Sequence, residues 1–371
     1  GNGEPGELPA AETLRFDGLS MSGFSVDAES SDELDQFEIA SIDLRGMGPE
    51  KLAAMALEGL ELQVRDDEED VAVVMSLGSL SLAGINTSFI GALQESDGDD
   101  EEAAAALMSM IAQNPGDPNY DAVILDNLTM DIGGVDFALP SMEASVSRDD
   151  QGRAVRSVTK PFEATLTANP EGTLGSQLAG PLAMMGYEQL VFKAASDAII
   201  DPENDSVTTA SADNYFELVD GFRMYGGGTV GGMGAYYQKL SDPELLERAE
   251  TDPLATLDAL SEMTLYDMEF SFEDKSIVDK AFTLASAMMG QDADTLRSQA
   301  QLGLGFAPLA AGEIGIDPAI LTELASAASS FLADPGTLTV KLDPETPITA
   351  AVFEDPSQIT KASLGFSAKS E

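Results

Sequence analysis

A six-residue phrase recurs along this chain, and it dictates strands that carry one apolar face. Its clearest copies are Phe16-Asp17-Gly18-Leu19-Ser20-Met21 and Val219-Asp220-Gly221-Phe222-Arg223-Met224, both running apolar, Asp, Gly, apolar, polar, Met. Leu125-Asp126-Asn127-Leu128-Thr129-Met130 puts Asn in the glycine place. Leu57-Glu58-Gly59-Leu60-Glu61-Leu62, Leu77-Gly78-Ser79-Leu80-Ser81-Leu82 and Leu265-Tyr266-Asp267-Met268-Glu269-Phe270 are looser copies. In a regular strand the first and fourth residues would face opposite sides, because side chains alternate with period two. A bulge adds one residue and returns the first, fourth and sixth positions to one face. Gly or Asn in third place suits the positive φ that bulges use. A tight Asp-Gly turn between two short strands is the alternative, and the bulge is preferred.

The fold class expected is α+β: curved antiparallel or mixed sheets with repeated bulged strands, and amphipathic helices packed on one face. The irregular spacing of the phrase excludes a solenoid of fixed period and suggests a drifted internal duplication. Three segments follow: a flexible N-terminal tether at 1–12, an N-terminal lobe at 13–186 and a C-terminal lobe at 187–371. Helices are expected from Pro49 to about Leu57, Ala103 to Gln113, Glu171 to Met185, after Asp242-Pro243 and Asp252-Pro253, from Ser276 to Met289, from Asp294 to about Leu302, and from Asp317-Pro318 to Leu332. Ser276-Ile277-Val278-Asp279 reads as a capping box with Asp for Glu. Gly226 to Gly234 reads as a mobile linker or a close backbone contact. It lacks the Lys and the spacing of a phosphate loop.

Charge and missing residue types narrow the function. Asp and Glu number 66 against 18 Lys and Arg, a formal charge of -48, which repels nucleic-acid phosphates and anionic membranes. There is no Cys, His or Trp. That removes disulfides, thiolate and Ser-His nucleophiles, and most transition-metal ligation. The expectation is a non-enzymatic protein without a cofactor and without a transmembrane segment.

Acidic runs at 66–70 and 97–102 read as a hairpin tip and a helix N-terminus. The second fails the calcium-loop pattern, since its sixth residue is Glu102 and not Gly. Asp201, Glu203 and Asp205 form the one loop-sized metal candidate, with a solvated turn as the preferred reading.

Strand segments with the recurring Gly-Leu-x-apolar piece resemble the repeating β-units of bacterial envelope proteins in the AsmA and lipid-transfer groups. The resemblance covers short pieces and carries no functional residue across. The Gly-rich opening Gly1-Asn2-Gly3-Glu4-Pro5-Gly6 resembles the tether of a bacterial lipoprotein, with an ordinary loose terminus as the equal alternative. Two functions are therefore expected in order. The first is a periplasmic or surface-attached envelope protein, secreted by a bacterium, that holds a lipid or other apolar ligand between sheet and helices. Met184, Met185, Met288, Met289 and Phe282 are its candidate contacts, with Met108 and Met110 as further supply. The second is a structural or accessory subunit working through protein contacts or self-association, with no small molecule.

Overall fold

The computed structural model describes residues 15–27, 34–48, 51–66, 71–86, 117–240, 242, 245, 248, 259–314, 317–349, 352 and 358–371. The fold is a β-rich α+β arrangement. Fifteen strands join one sheet, and every pairing is antiparallel. The first eight follow chain order: β1 (Phe16–Asp27), β2 (Leu34–Met47), β3 (Lys51–Asp66), β4 (Val71–Asn86), β5 (Ala122–Ile132), β6 (Val135–Arg148), β7 (Ala154–Ala168) and β8 (Leu190–Asp201). The sheet continues through β10 (Tyr215–Leu218), β11 (Phe222–Gly231), β12 (Thr264–Asp274), β13 (Thr337–Leu342) and β15 (Ser367–Ser370). β9 (Ser206–Thr209) pairs with β8 and β11, and β14 (Ile348–Thr349) with β12. No break in pairing separates the two expected lobes, because β7 and β8 run together from Phe162↔Ala194 to Leu166↔Leu190.

The phrase works by a device that differs from an ordinary bulge. In β3, Leu52, Met55, Leu57, Leu60, Leu62 and Val64 stand opposite Ile85, Leu82, Leu80, Leu77, Met75 and Val73 of β4. Each strand takes its three-residue step at the same level as its neighbour, so the ladder keeps its register. A bulge of two residues against one would shift it. The step is absorbed by a left-handed residue in its third place: Gly23, Gly46, Gly59, Gly84 or Asn127, with φ between +54° and +68°. Its opposite number is small and not left-handed. Gly59 meets Ala40, Gly46 meets Ala53, and Asn127 meets Gly78.

The copies of the phrase therefore divide. Gly59 and Asn127 have the positive φ expected of the third place, whereas Gly18 and Gly78 lie in strands at ordinary φ. At 219–224 the turn alternative applies: Asp220 carries the positive φ of +55° between β10 and β11. A direct consequence is that Gly23→Val should cost about 1–3 kcal/mol in urea unfolding, since a β-branched residue resists the left-handed region. Gly18→Ala should be neutral within error. A Cβ there meets only Leu44 O at 3.7 Å.

The expected helix from Pro49 to Leu57 is strand β3 from Lys51 onward. Leu52, Met55 and Leu57 follow the three-two step, and its three-residue spacing is also that of a helix face. The expected helix from Ala103 to Gln113, with Met108 and Met110, lies outside the described residues. So do most of those after Asp242-Pro243 and Asp252-Pro253.

The helices are α1 (Gly175–Met184), α2 (Met233–Leu240), α3 (Ile277–Met289), α4 (Ala293–Ile314), α5 (Pro318–Ala333) and α6 (Lys361–Leu364). α3 ends as expected at Gly290, φ +67°. Its start differs: Ser276 makes no cap, and its hydroxyl donates to Asp220 O, while Asp274 Oδ1 accepts from Val278 N at 3.0 Å. α4 runs past Leu302 and through Pro308. Asp317 caps α5 by accepting from Ala319 N at 2.9 Å.

Candidate ligand-binding face

Directly opposed residues in an antiparallel sheet share a face, so the registers sort this sheet into an apolar and a polar side. On one side Phe37, Leu62, Met75, Met130, Phe137, Leu166 and Leu190 form a row across β2 to β8. Phe24, Ile39, Leu60, Leu77, Leu128 and Leu139 form the next. On the other side run Ser22, Ser41, Glu58, Ser79, Asp126 and Ser141, and beside them Ser25, Glu38, Glu61, Ser76 and Thr129. In β1 to β4 the three-two spacing of the stepped strand keeps the apolar set on one side.

The apolar side continues into the C-terminal strands, where it is roofed. Leu182 of α1 packs with Tyr187 and Leu218, and with Leu190, Phe192 and Phe222. Ile320 of α5 packs with Phe366, Val340, Leu342 and Ala368. A chain of rings, Phe192, Phe216, Phe222, Phe272 and Phe331, crosses four strands and ends on α5, with neighbouring centroids 5.3–6.1 Å apart. Among the described residues, no comparable helix packing reaches β1 to β6. Along these rows Ile39, Leu77 and Leu139 are buried and the others half-buried, whereas at the outer strand Phe24 is 55% exposed. Met47, Leu52 and Ile85 form a buried cluster at one end of the sheet, with Phe16, Leu44, Met55 and Leu82 against them.

α1 marks the border between the roofed and open parts. Leu174, just before it, lies against Gly133 in the β5–β6 turn, whose left-handed glycines let the two chains approach. Next to α1 is an open depression of about 420 Å³, lined by Ala168, Ala179, Leu182, Ala183, Gly186, Tyr187 and Glu188.

The methionine pairs sit at the helix ends. Met185 packs on the cluster around Leu182, while Met184 is 57% exposed. Met288 and Met289 are 77% and 66% exposed. Phe282 is half-buried under the Arg297 guanidinium, 5.2 Å from its ring centroid. α1 and α3 touch, so the two pairs belong to one helical layer.

The metal candidates are occupied by their own loop. Asp201 accepts from Glu203 N, Asn204 N and Asn204 Nδ2 at 3.0, 3.1 and 2.7 Å. These bonds, the Asn204 side chain foremost, hold its carboxyl below the usual range. Asp205 accepts from Gly234 N at 3.0 Å, and Glu203 lies 3.7 Å from Arg153. Among the described residues no three acidic side chains converge as a cation site. Millimolar calcium should therefore raise the melting temperature no more than sodium at matched ionic strength. Sodium chloride itself should raise it between low salt and about half-molar, because screening relieves self-repulsion at -48. Differential scanning fluorimetry in both salts checks this.

Two clusters escaped the sequence reading. Arg148 uses all five guanidinium N–H groups: two on Asp117 at 2.5 and 2.9 Å, one on Asp121 at 2.7 Å, and the others on Gly152 O and Tyr120 O. Lys51 adds an ion pair to Asp121 at 2.5 Å. Asp220 O accepts from Tyr187 Oη, Ser276 Oγ and Lys280 Nζ at 2.9, 2.6 and 2.7 Å, with the Lys280 ammonium 3.6 Å from the Tyr187 ring centroid. Both clusters join strand ends to neighbouring strands and helix starts.

Residues 215–371 match a family model described as "Uncharacterized protein". No curated protein matches the chain, and no solved structure does. The matched span runs from β10 to β15 and includes α2 to α6; the open part of the apolar face lies before it. No helix among the described residues is long and apolar enough to cross a membrane.

Proposed function

We propose that this protein holds a lipid or another elongated apolar ligand against the open apolar side of β1 to β6, with α1 at its border. The observation that carries the reading is the run of apolar rows that continues without interruption from the roofed strands to the open ones. An apolar surface of this breadth marks a binding site in a folded protein. The helices carry the methionines at its border, where flexible thioether chains suit variable acyl shapes. The function needs no catalytic group and no cofactor. An envelope setting, periplasmic or at a bacterial surface, goes with the same proposal, as does the drifted duplication that would give both halves of the sheet the same apolar side.

Uptake of a fluorescent fatty-acid probe tests it. Wild type is expected to bind at micromolar probe. Leu80→Asn with Leu125→Asn, both mid-face, should weaken binding at least about tenfold, the loss expected when two apolar contacts are replaced by amides. The cooperative melt should survive. A wild type that never binds the probe overturns the reading, as does undiminished binding by the double variant. Met288→Asp with Met289→Asp separates border from face: at their exposure the fold should persist, and reduced uptake would place those methionines at the ligand's path. The second reading, an accessory subunit with no small molecule, draws on the outer strand described next, which is uncharged from Gly18 to Val26.

A further inference from the structure

β1 is the outer strand of the sheet, with no described strand on its free side. Outer strands are normally guarded by charge, proline or shortness. This one has twelve residues, and Gly18 to Val26 contains no charged residue in a chain of net charge -48. Leu19, Met21 and Phe24 are exposed along it. The edge is thus long, unguarded and electrostatically quiet where the rest of the surface repels.

What can pair with it is limited by the step. A strand beside β1 must take three-residue steps at the same two levels, or its apolar residues turn to the polar side. It must also supply the opposite conformation at each step, since every stepped pair described above joins a left-handed residue to one that is not. Within β1, Gly23 is left-handed and the step at Asp17-Gly18 is not. β1 therefore satisfies its own requirement when turned round. About a two-fold axis at Ser20, Leu19 faces the partner's Met21, Phe16 faces the partner's Phe24, and Gly23 faces the partner's Asp17. β2 already receives Asp17 in this manner, opposite its left-handed Gly46. An axis between Ser22 and Gly23 would align the apolar residues equally well, but it would set two left-handed glycines at one step.

We infer that two copies of this chain join through antiparallel β1 strands centred on Ser20, giving one continuous sheet whose apolar sides merge. The dimer is closed. The other edge, β15, has four residues and carries Lys369, so growth beyond two copies has no second matching strand.

The chain has no cysteine, which makes the test specific. Wild type should sediment as a dimer at micromolar concentration. Ser20→Cys should form an intermolecular disulfide under mild oxidation, because the two sulfurs face each other across the axis. Ser25→Cys should not, since its two copies lie on the order of 30 Å apart along the paired strands. A monomeric wild type overturns the inference, and so does cross-linking of both variants alike or of neither. The assay contains no lipid, so its outcome and that of the probe experiment are independent.

Discussion

Gly227→Val is expected to abolish the native fold or cost more than about 4 kcal/mol, and to be far worse than Gly221→Val. On the bulge reading of the phrase Gly221 would hold the positive φ, while Gly226 to Gly234 reads from sequence as either a mobile linker or a close backbone contact. In the fold, Asp220 carries the positive φ, and Gly221 does not. A Cβ on Gly221 would lie 2.7 Å from Tyr187 Oη and 2.8 Å from Leu218, side-chain atoms that can give way. A Cβ on Gly227 would lie 2.5 Å from both Ser211 N and Thr209 O. Backbone cannot yield without parting β11 from the loop after β9. Gly226 is equally constrained, 2.8 Å from Glu269 O on the other flank. Thermal melts of the two variants decide it, and equal shifts would overturn this reading of the glycine run.

Arg148→Ala should cost about 3 kcal/mol, in the range for removing one partner of a desolvated ion pair. Its side chain is 21% exposed and that of Asp117 only 10%, so the orphaned carboxylate keeps little water. The acid branch of the stability curve should change as well. Burial pushes the Asp121 carboxyl up, but hydrogen bonds and charge from Lys51 and Arg148 outweigh it and hold the group below the ordinary carboxylate value. A depressed folded pKa gives stability that is full above the unfolded value near 4, and that is lost as pH falls through the folded one. The variant should therefore lose less on going from pH 5 to pH 3 than wild type does. Urea titrations at the two pH values measure both effects. A loss that is large but independent of pH would assign the damage to packing of the Arg148 stem.

Much of the strand content was legible because the apolar period is local. Thr337 to Leu342 declares itself by alternation, while Leu57-Glu58-Gly59-Leu60 declares a step, as does Ile39 to Ile42 opposite it. Helix boundaries with a chemical stop, at Asp317-Pro318 and Gly290, were equally plain. Lys51 to Leu57 failed because one step of three residues is common to a helix face and a stepped strand. Only the partner strand separates the two. The candidate face was half legible: its residues were visible as strand residues, but their gathering onto one side was not.

The sequence by itself determined that this chain makes one-sided strands, has no Cys, His or Trp, and carries a formal charge of -48. Those properties reside in residue type and short-range spacing. Tertiary structure alone decided that neighbouring strands step together, that Gly59 must be left-handed where Gly78 need not be, and that α1 and α5 cover only the later strands. Each of those depends on which residue stands across a ladder or above a sheet, and that pairing is set by contacts between segments far apart in the chain.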